Sequence, residues 1–151
     1  MKQIFAAAIL SLTAAVSFAD EFAGPVTATV LRVVDGDTLE IEAQIWPQQW
    51  VRTNIRVRGI DAPEVRLTRY TCEAEVALGH VATERVRELL GMRGSPIPPT
   101  VTLTEIDLDK YGGRHVATVT MENGQSLGVR LMLEDLAKPW DGQQTSPTFC
   151  D

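Results

Sequence analysis

Three short segments hold most of the side chains able to do polar chemistry. Val34-Asp35-Gly36-Asp37-Thr38 sets two aspartates around a glycine. Arg56 precedes Asp61 in a run that continues Ala62-Pro63-Glu64. Asp109-Lys110-Tyr111-Gly112-Gly113-Arg114 joins acids, bases and an aromatic ring across two glycines. Taken singly, each reads as ordinary connection: Asp-Gly is a common turn dipeptide, Pro63 fixes a loop with Glu64 solvated, and paired glycines turn a chain before a strand. Taken in order, they bring carboxylates, which hold hard cations or accept protons, together with arginines, whose rigid fork matches phosphate oxygens two at a time.

Other constellations fail on inspection. Asp107-x-Asp109-x-Tyr111-Gly112 opens like a helix-loop-helix calcium loop, but its twelfth position is Thr118 where a bidentate Glu is required. His80 and His115 stand alone, and His80 with Glu84 one turn on reads as a helix-surface pair. No Gly-x-Ser-x-Gly, P-loop or dinucleotide fingerprint is present.

The elements that must position these segments follow from periodicity. Alternation and β-branched residues predict strands over 26–34, 38–43, 51–60, 101–106 and 115–121, with Trp46-Pro47-Gln48-Gln49-Trp50 as a break. Apolar spacing near 3.6 predicts a helix over 71–90, with Thr71 as cap and Ala74, Leu78, Val81/Ala82, Arg85/Val86 and Leu89 along one stripe. A second helix is predicted over 126–136, opening on Ser126, carrying Leu127, Leu131, Leu133 and Leu136, and ended by Pro139. Three strands, a helix, two strands and a helix is the layout of an α+β, mainly β, five-stranded OB-type barrel; an open α+β sheet shares the same order. In the barrel, Asp37 leaves the first strand and Asp61 follows the third, so both carboxylates can reach one rim.

Composition narrows the class. At 151 residues, 44% hydrophobic and 23% charged, the chain has room for one globular domain and no fibrous or wholly disordered character. Fourteen bases against 20 acids give a net charge of −6, so no global basic field draws it to nucleic acid or anionic lipid. Yet only Lys2, Lys110 and Lys138 are lysines; the other bases are arginines.

The first residues read as an export signal. Lys2 is followed by an apolar run over 4–16 and by Ser17-Phe18-Ala19, with small residues where a signal peptidase cuts. The run is shorter than the roughly 20 residues of a membrane span. Cleavage after Ala19 leaves 20–140 as the domain and 141–151 as a polar tail, and loss of Lys2 makes the net charge one unit more negative. An exported chain is a periplasmic or extracellular one, where Cys72 and Cys150 are the only possible intramolecular disulfide. The alternative is a buried Cys72 and a loose tail thiol.

The order of these motifs resembles the thermonuclease family, the staphylococcal-nuclease-like proteins, over about residues 26–140. The resemblance is carried by Val34-Asp35-Gly36-Asp37-Thr38-Leu39, by Ile55-Arg56-Val57-Arg58-Gly59-Ile60-Asp61-Ala62-Pro63-Glu64, by Cys72-x-x-Glu75 with Gly79, by Asp109-Lys110-Tyr111-Gly112, and by Leu136-Ala137-Lys138. It implies an OB-fold nuclease needing Ca²⁺. Such an enzyme cleaves DNA and RNA, single strands preferentially, with little sequence preference, and leaves 3′-phosphate ends. A monomer is expected.

By motif match, Asp37, Asp61 and the carbonyl of Ala62 would hold the Ca²⁺, and Asp35 would add charge nearby. The family often has Thr where this chain has Ala62, a change a main-chain ligand survives. Glu64 matches the carboxylate that orients or deprotonates the attacking water, and Arg56 and Arg114 match the arginines that grip the phosphate. The family's second arginine commonly follows the glycine directly; here Gly113 intervenes, so either the loop is one residue longer or Arg114 reaches from a shifted position. Tyr111 would pack against the nucleotide and Trp140 would offer a stacking face, although each is equally compatible with barrel packing. Two other readings stay open: a catalytically weak or inactive nucleic-acid-binding barrel, and a secreted interaction domain that merely binds calcium. A salt titration separates them, because a nucleic-acid binder weakens steeply as salt rises.

Overall fold

The computed structural model describes residues 21–110 and 112–150. The expected export signal at 1–19 and the side chain of Tyr111 lie outside the described residues.

Five long strands close into a barrel. β1 (Val26–Val33), β2 (Thr38–Trp46) and β3 (Gln49–Val57) form a meander, and β5 (Thr100–Leu108) and β6 (His115–Met121) form a hairpin. The order around the barrel is β1-β2-β3-β6-β5, closed by antiparallel pairing of β5 with β1. β3 and β6 run parallel, with Ile55 opposite His115 and Val57 opposite Ala117. With α1 (Glu73–Leu89) and α2 (Leu127–Leu133) this is the α+β, mainly β, OB-type architecture expected from the sequence. Inward side chains such as Val30, Ile41, Ile55, Leu103 and Val119 are fully buried. Leu127 and Leu131 of α2 and Ala82 and Val86 of α1 join the same core.

Several local expectations are corrected. The break at 46–50 shrinks to a two-residue turn: Gln48 takes a positive φ of 63°, and Trp46 pairs with Gln49. β3 stops at Val57, because Gly59 turns at φ 82°. Ile60–Asp61 then forms a separate strand, β4, antiparallel to Lys138–Pro139, β7. A two-residue pairing has no periodicity to read. α2 ends at Leu133, before Asp135 at φ 56°, and Leu133 points to solvent rather than inward.

α1 keeps Ala82 and Val86 in the core and Leu78 and Leu89 packed against it, as expected, but its inner face is extended by residues not expected there. Glu75, Gly79, Ala82, Thr83 and Val86 face inward, while Ala74 and Val81 are exposed. The cap is Cys72, without a side-chain hydrogen bond, because the Thr71 hydroxyl donates to the Arg66 carbonyl. Gly79 sets the phase. A Cβ there would stand 2.4 Å from the Glu64 carbonyl oxygen and 2.7 Å from that of Pro63. The helix thus lies directly on the segment carrying Glu64.

Gly79→Ala should therefore destabilise, although alanine is the better helix former by about 1 kcal/mol. Overpacking against backbone that cannot swing aside costs about 1–3 kcal/mol. The urea midpoint should fall with the slope unchanged; an equal or higher midpoint would show that the helix does not press on that segment.

The tail is tied back. Cys72 and Cys150 are disulfide-bonded, 78 residues apart in sequence, with Cα atoms 5.9 Å apart. Chain-entropy arguments value a loop of that length at about 4–5 kcal/mol. No helix among the described residues is long and apolar enough to cross a membrane.

Candidate active site

Asp37 is placed by the turn between β1 and β2. Its backbone N–H donates to Asp35 Oδ1 at 3.1 Å, and its carbonyl accepts from Val57 N at 2.8 Å. Gly36 permits this closeness, since a Cβ there would sit 2.8 Å from the Ala62 Cβ and 3.0 Å from that of Ala82. Asp61 is placed by β4, next to the end of β3 that presents Arg56.

The two aspartates converge on one guanidinium. Arg56 Nη2 donates to Asp37 Oδ2 at 2.9 Å and also to Asp61 Oδ1. Asp37 Oδ2 further accepts from Ala62 N at 3.1 Å, and Oδ1 accepts from the Thr38 hydroxyl at 2.9 Å. Both carboxylates are buried, at 5% and 7% exposure. Arg56 Nε is also buried and has no hydrogen-bond partner among the described residues. Arg56 also lines the neighbouring cleft, where a guanidinium suits an oxyanion.

Burial pushes Asp37 up to about 7, against the pull of Arg56, and the Asp35 charge adds to the rise. Burial likewise raises Asp61, against Arg56, with the Glu64 and Glu75 charges adding to it. Acids raised in the folded state favour folding when protonated, and that contribution is lost as pH climbs through the folded value. Hydrogen-bonded surface acids such as Glu84 and Glu122 are held low and act in the opposite sense, but only below the ordinary carboxylate range. In chelator the urea midpoint should therefore fall between about pH 5.5 and about pH 8. A flat or rising midpoint would contradict this electrostatic picture.

The other expected residues divide. Ala62 is buried, with its backbone against Asp37, and Glu64 is exposed on the following residues of the same loop. The Arg56 Cζ lies 4.8 Å from the centroid of the Trp140 ring, and Lys110 Nζ lies 5.3 Å from it. Trp140 is anchored by its N–H to the Gly59 carbonyl at 3.0 Å and by its indole nitrogen to the Gln144 carbonyl at 2.9 Å. Arg56, Ile60, Asp109, Lys110 and Trp140 line one cleft of about 280 Å³.

Arg114 is engaged elsewhere. Its Nε donates to Asp109 Oδ2 within its own hairpin loop, where Gly112 and Gly113 both take positive φ. The contacts of Arg114 among the described residues do not bring it onto Asp37 or Asp61.

Two residues were legible only in part. Lys110 beside Trp140 had no signal beyond its neighbour Tyr111. Glu75 had one, the Cys72-x-x-Glu75 motif with Gly79, though with no role attached, and with Gly79, Ala82 and Val86 it lies on the buried face of α1. Cys72, Glu75 and Cys150 also cluster, but the two sulfurs are bonded to each other and so offer no thiolate to a metal. The chain matches no known protein-family model, and no characterised protein matches it significantly.

Proposed function

We propose that the chain is an exported, calcium-dependent nuclease of the thermonuclease type, acting on DNA and RNA as a monomer and preferring single strands. The observation that carries this reading is the convergence of two buried aspartates on Arg56, whose Nε has no hydrogen-bond partner among the described residues. Oxygens that converge on one cationic nitrogen form a seat of hard donors, which suits Ca²⁺. Asp37, Asp61 and the adjoining Ala62 backbone would hold the ion, with Asp35 adding negative charge, and the ion would supply positive charge to the phosphate oxygens.

The remaining chemistry belongs to the chain. Glu64, exposed beside the aspartates, takes a proton from water as the water oxygen bonds to phosphorus. The bond from phosphorus to the 5′ oxygen breaks, solvent protonates that oxygen, and the phosphate stays on the 3′ end. Arg56, on the cleft wall, donates to the phosphate as charge develops there, the kind of fixed donor that usually supplies the largest catalytic term. Arg114 joins it by leaving Asp109, with Tyr111 against the nucleotide. Trp140, on the cleft wall, offers a base a stacking face worth roughly 1–3 kcal/mol.

The pairing of Arg114 with Asp109 is the observation favouring the second reading, a catalytically weak nucleic-acid-binding barrel. Incubation with heat-denatured DNA and with RNA, in Ca²⁺ and in chelator, separates the two. The nuclease cuts both substrates in Ca²⁺ alone and leaves 3′-phosphate ends. Retention without cutting supports the binder, and undiminished cutting in chelator removes the calcium assignment.

A further inference from the structure

Among the described residues, three buried side chains carry carboxylates: Asp37, Asp61 and Glu75. The first two face Arg56. Glu75, 6% exposed, has no lysine or arginine paired with it among the described residues, and the chemistry above gives it no task. It is not idle in the packing. Its Oε1 accepts from the backbone N–H of Glu64 at 3.3 Å, and its Oε2 lies 3.3 Å from Cys150 Sγ. That sulfur is bonded to Cys72, the residue that starts α1, and has no proton to donate.

One carboxylate therefore stands between the Glu64 segment and the bond that ties the tail to the barrel. One helical turn further on, Gly79 lets the carbonyls of Pro63 and Glu64 press against the helix. We propose that Glu75 is the positioning residue of the Glu64 segment, and that the Cys72–Cys150 bond braces Glu75 from behind. This rests on the reading of Glu64 as the base. Glu64 is exposed, so its direction is set by its backbone rather than by packing around its carboxylate. A base displaced by about 1 Å can lose as much as about a hundredfold in rate. Besides Glu75, the hydrogen bonds nearest to Glu64 along the chain are the Ala62 N–H on Asp37 and the Thr71 hydroxyl on the Arg66 carbonyl, one on each side of it. Cutting the disulfide frees the tail and the helix start three residues from Glu75, and it should loosen Glu64 without touching the aspartates.

The test uses the full chain and two readouts. Amide hydrogen exchange at Glu64 should speed about tenfold, the worth of one buried hydrogen bond, in Glu75→Ala and in the double variant Cys72→Ala/Cys150→Ala. It should stay near the original in Glu75→Gln, whose amide oxygen still accepts, and the amides of Val30 and Val119 should not change. With a single-stranded oligonucleotide and saturating Ca²⁺, kcat should fall roughly tenfold to a hundredfold in Glu75→Ala at unchanged KM, and Glu75→Gln should restore it. In a Glu64→Gln background, Glu75→Ala should cost nothing further.

An unchanged Glu64 amide in Glu75→Ala overturns the brace. The same loss of rate with Glu64 already replaced overturns the positioning role. Full activity in Glu64→Gln alone overturns the base assignment and the catalytic half of this proposal, while the amide readout judges the brace without reference to activity. If the cysteine variant does not fold, Glu75→Ala carries the same decision.

Discussion

Arg56→Ala should lose activity by roughly a hundredfold to a thousandfold or more, the scale of removing one fixed donor from a developing oxyanion. It should also destabilise the metal-free protein, for a separate reason. Arg56 is the counter-charge of two buried carboxylates, and removing one partner of a buried pair typically costs about 3–5 kcal/mol. Asp37, already pushed up to about 7, should respond by keeping its proton to still higher pH. Calcium should then restore more stability to the variant than it adds to the original, because guanidinium and ion compete for the same oxygens. For one site, an ion at a hundred times its dissociation constant adds about 2.7 kcal/mol. Arg56→Lys sharpens the point: an ammonium can neutralise the aspartates but cannot present a fork to phosphate, so stability should return and activity should not. Thermal melts with and without Ca²⁺ check this. An Arg56→Ala protein as stable and as active as the original would mean that the convergence of side chains is a structural ion pair and nothing more.

Glu64→Gln should behave differently in every respect except the loss of rate. The side chain is exposed, and its backbone N–H, the group Glu75 holds, is untouched by the substitution. Melting temperature and Ca²⁺ response should therefore change little, the substitution only relieving Asp61 of one like-charged neighbour. What disappears is the proton acceptor, and general bases contribute about 10²–10⁴ in rate. The loss should fall on kcat with KM unaltered, as expected of a group that acts on water rather than on substrate binding. A variant that raised KM and kept kcat would instead make Glu64 a substrate contact.

The long elements were the legible part of the chain. Alternation at 26–34 and 115–121 reflects strands with one face in the core, and burial enforces that period. The disulfide was legible too, since two cysteines allow one intramolecular pairing. Within the site, the Asp37 turn and the Asp61 segment could be placed at one rim from strand order alone. The meeting of both on Arg56 could not, because it depends on β3 stopping at Val57 and on Gly59 turning the chain. The same holds for Arg114, whose partner Asp109 is chosen by the path of two left-handed glycines. On α1, Leu78, Ala82, Val86 and Leu89 were legible, but Ala74 and Val81 are apolar and exposed while Glu75 is charged and buried. Apolar periodicity misses a buried acid on the inner face of a helix.

The most direct measurement is the initial rate of cleavage of a single-stranded oligonucleotide by the original protein and by Glu64→Gln, matched in melting temperature, each in Ca²⁺ and in chelator. The account predicts cleavage to 3′-phosphate ends by the original protein in Ca²⁺, none in chelator, and a rate at least about a hundredfold lower for Glu64→Gln. Equal rates for the two proteins, or no cleavage by the original at saturating Ca²⁺, would contradict it.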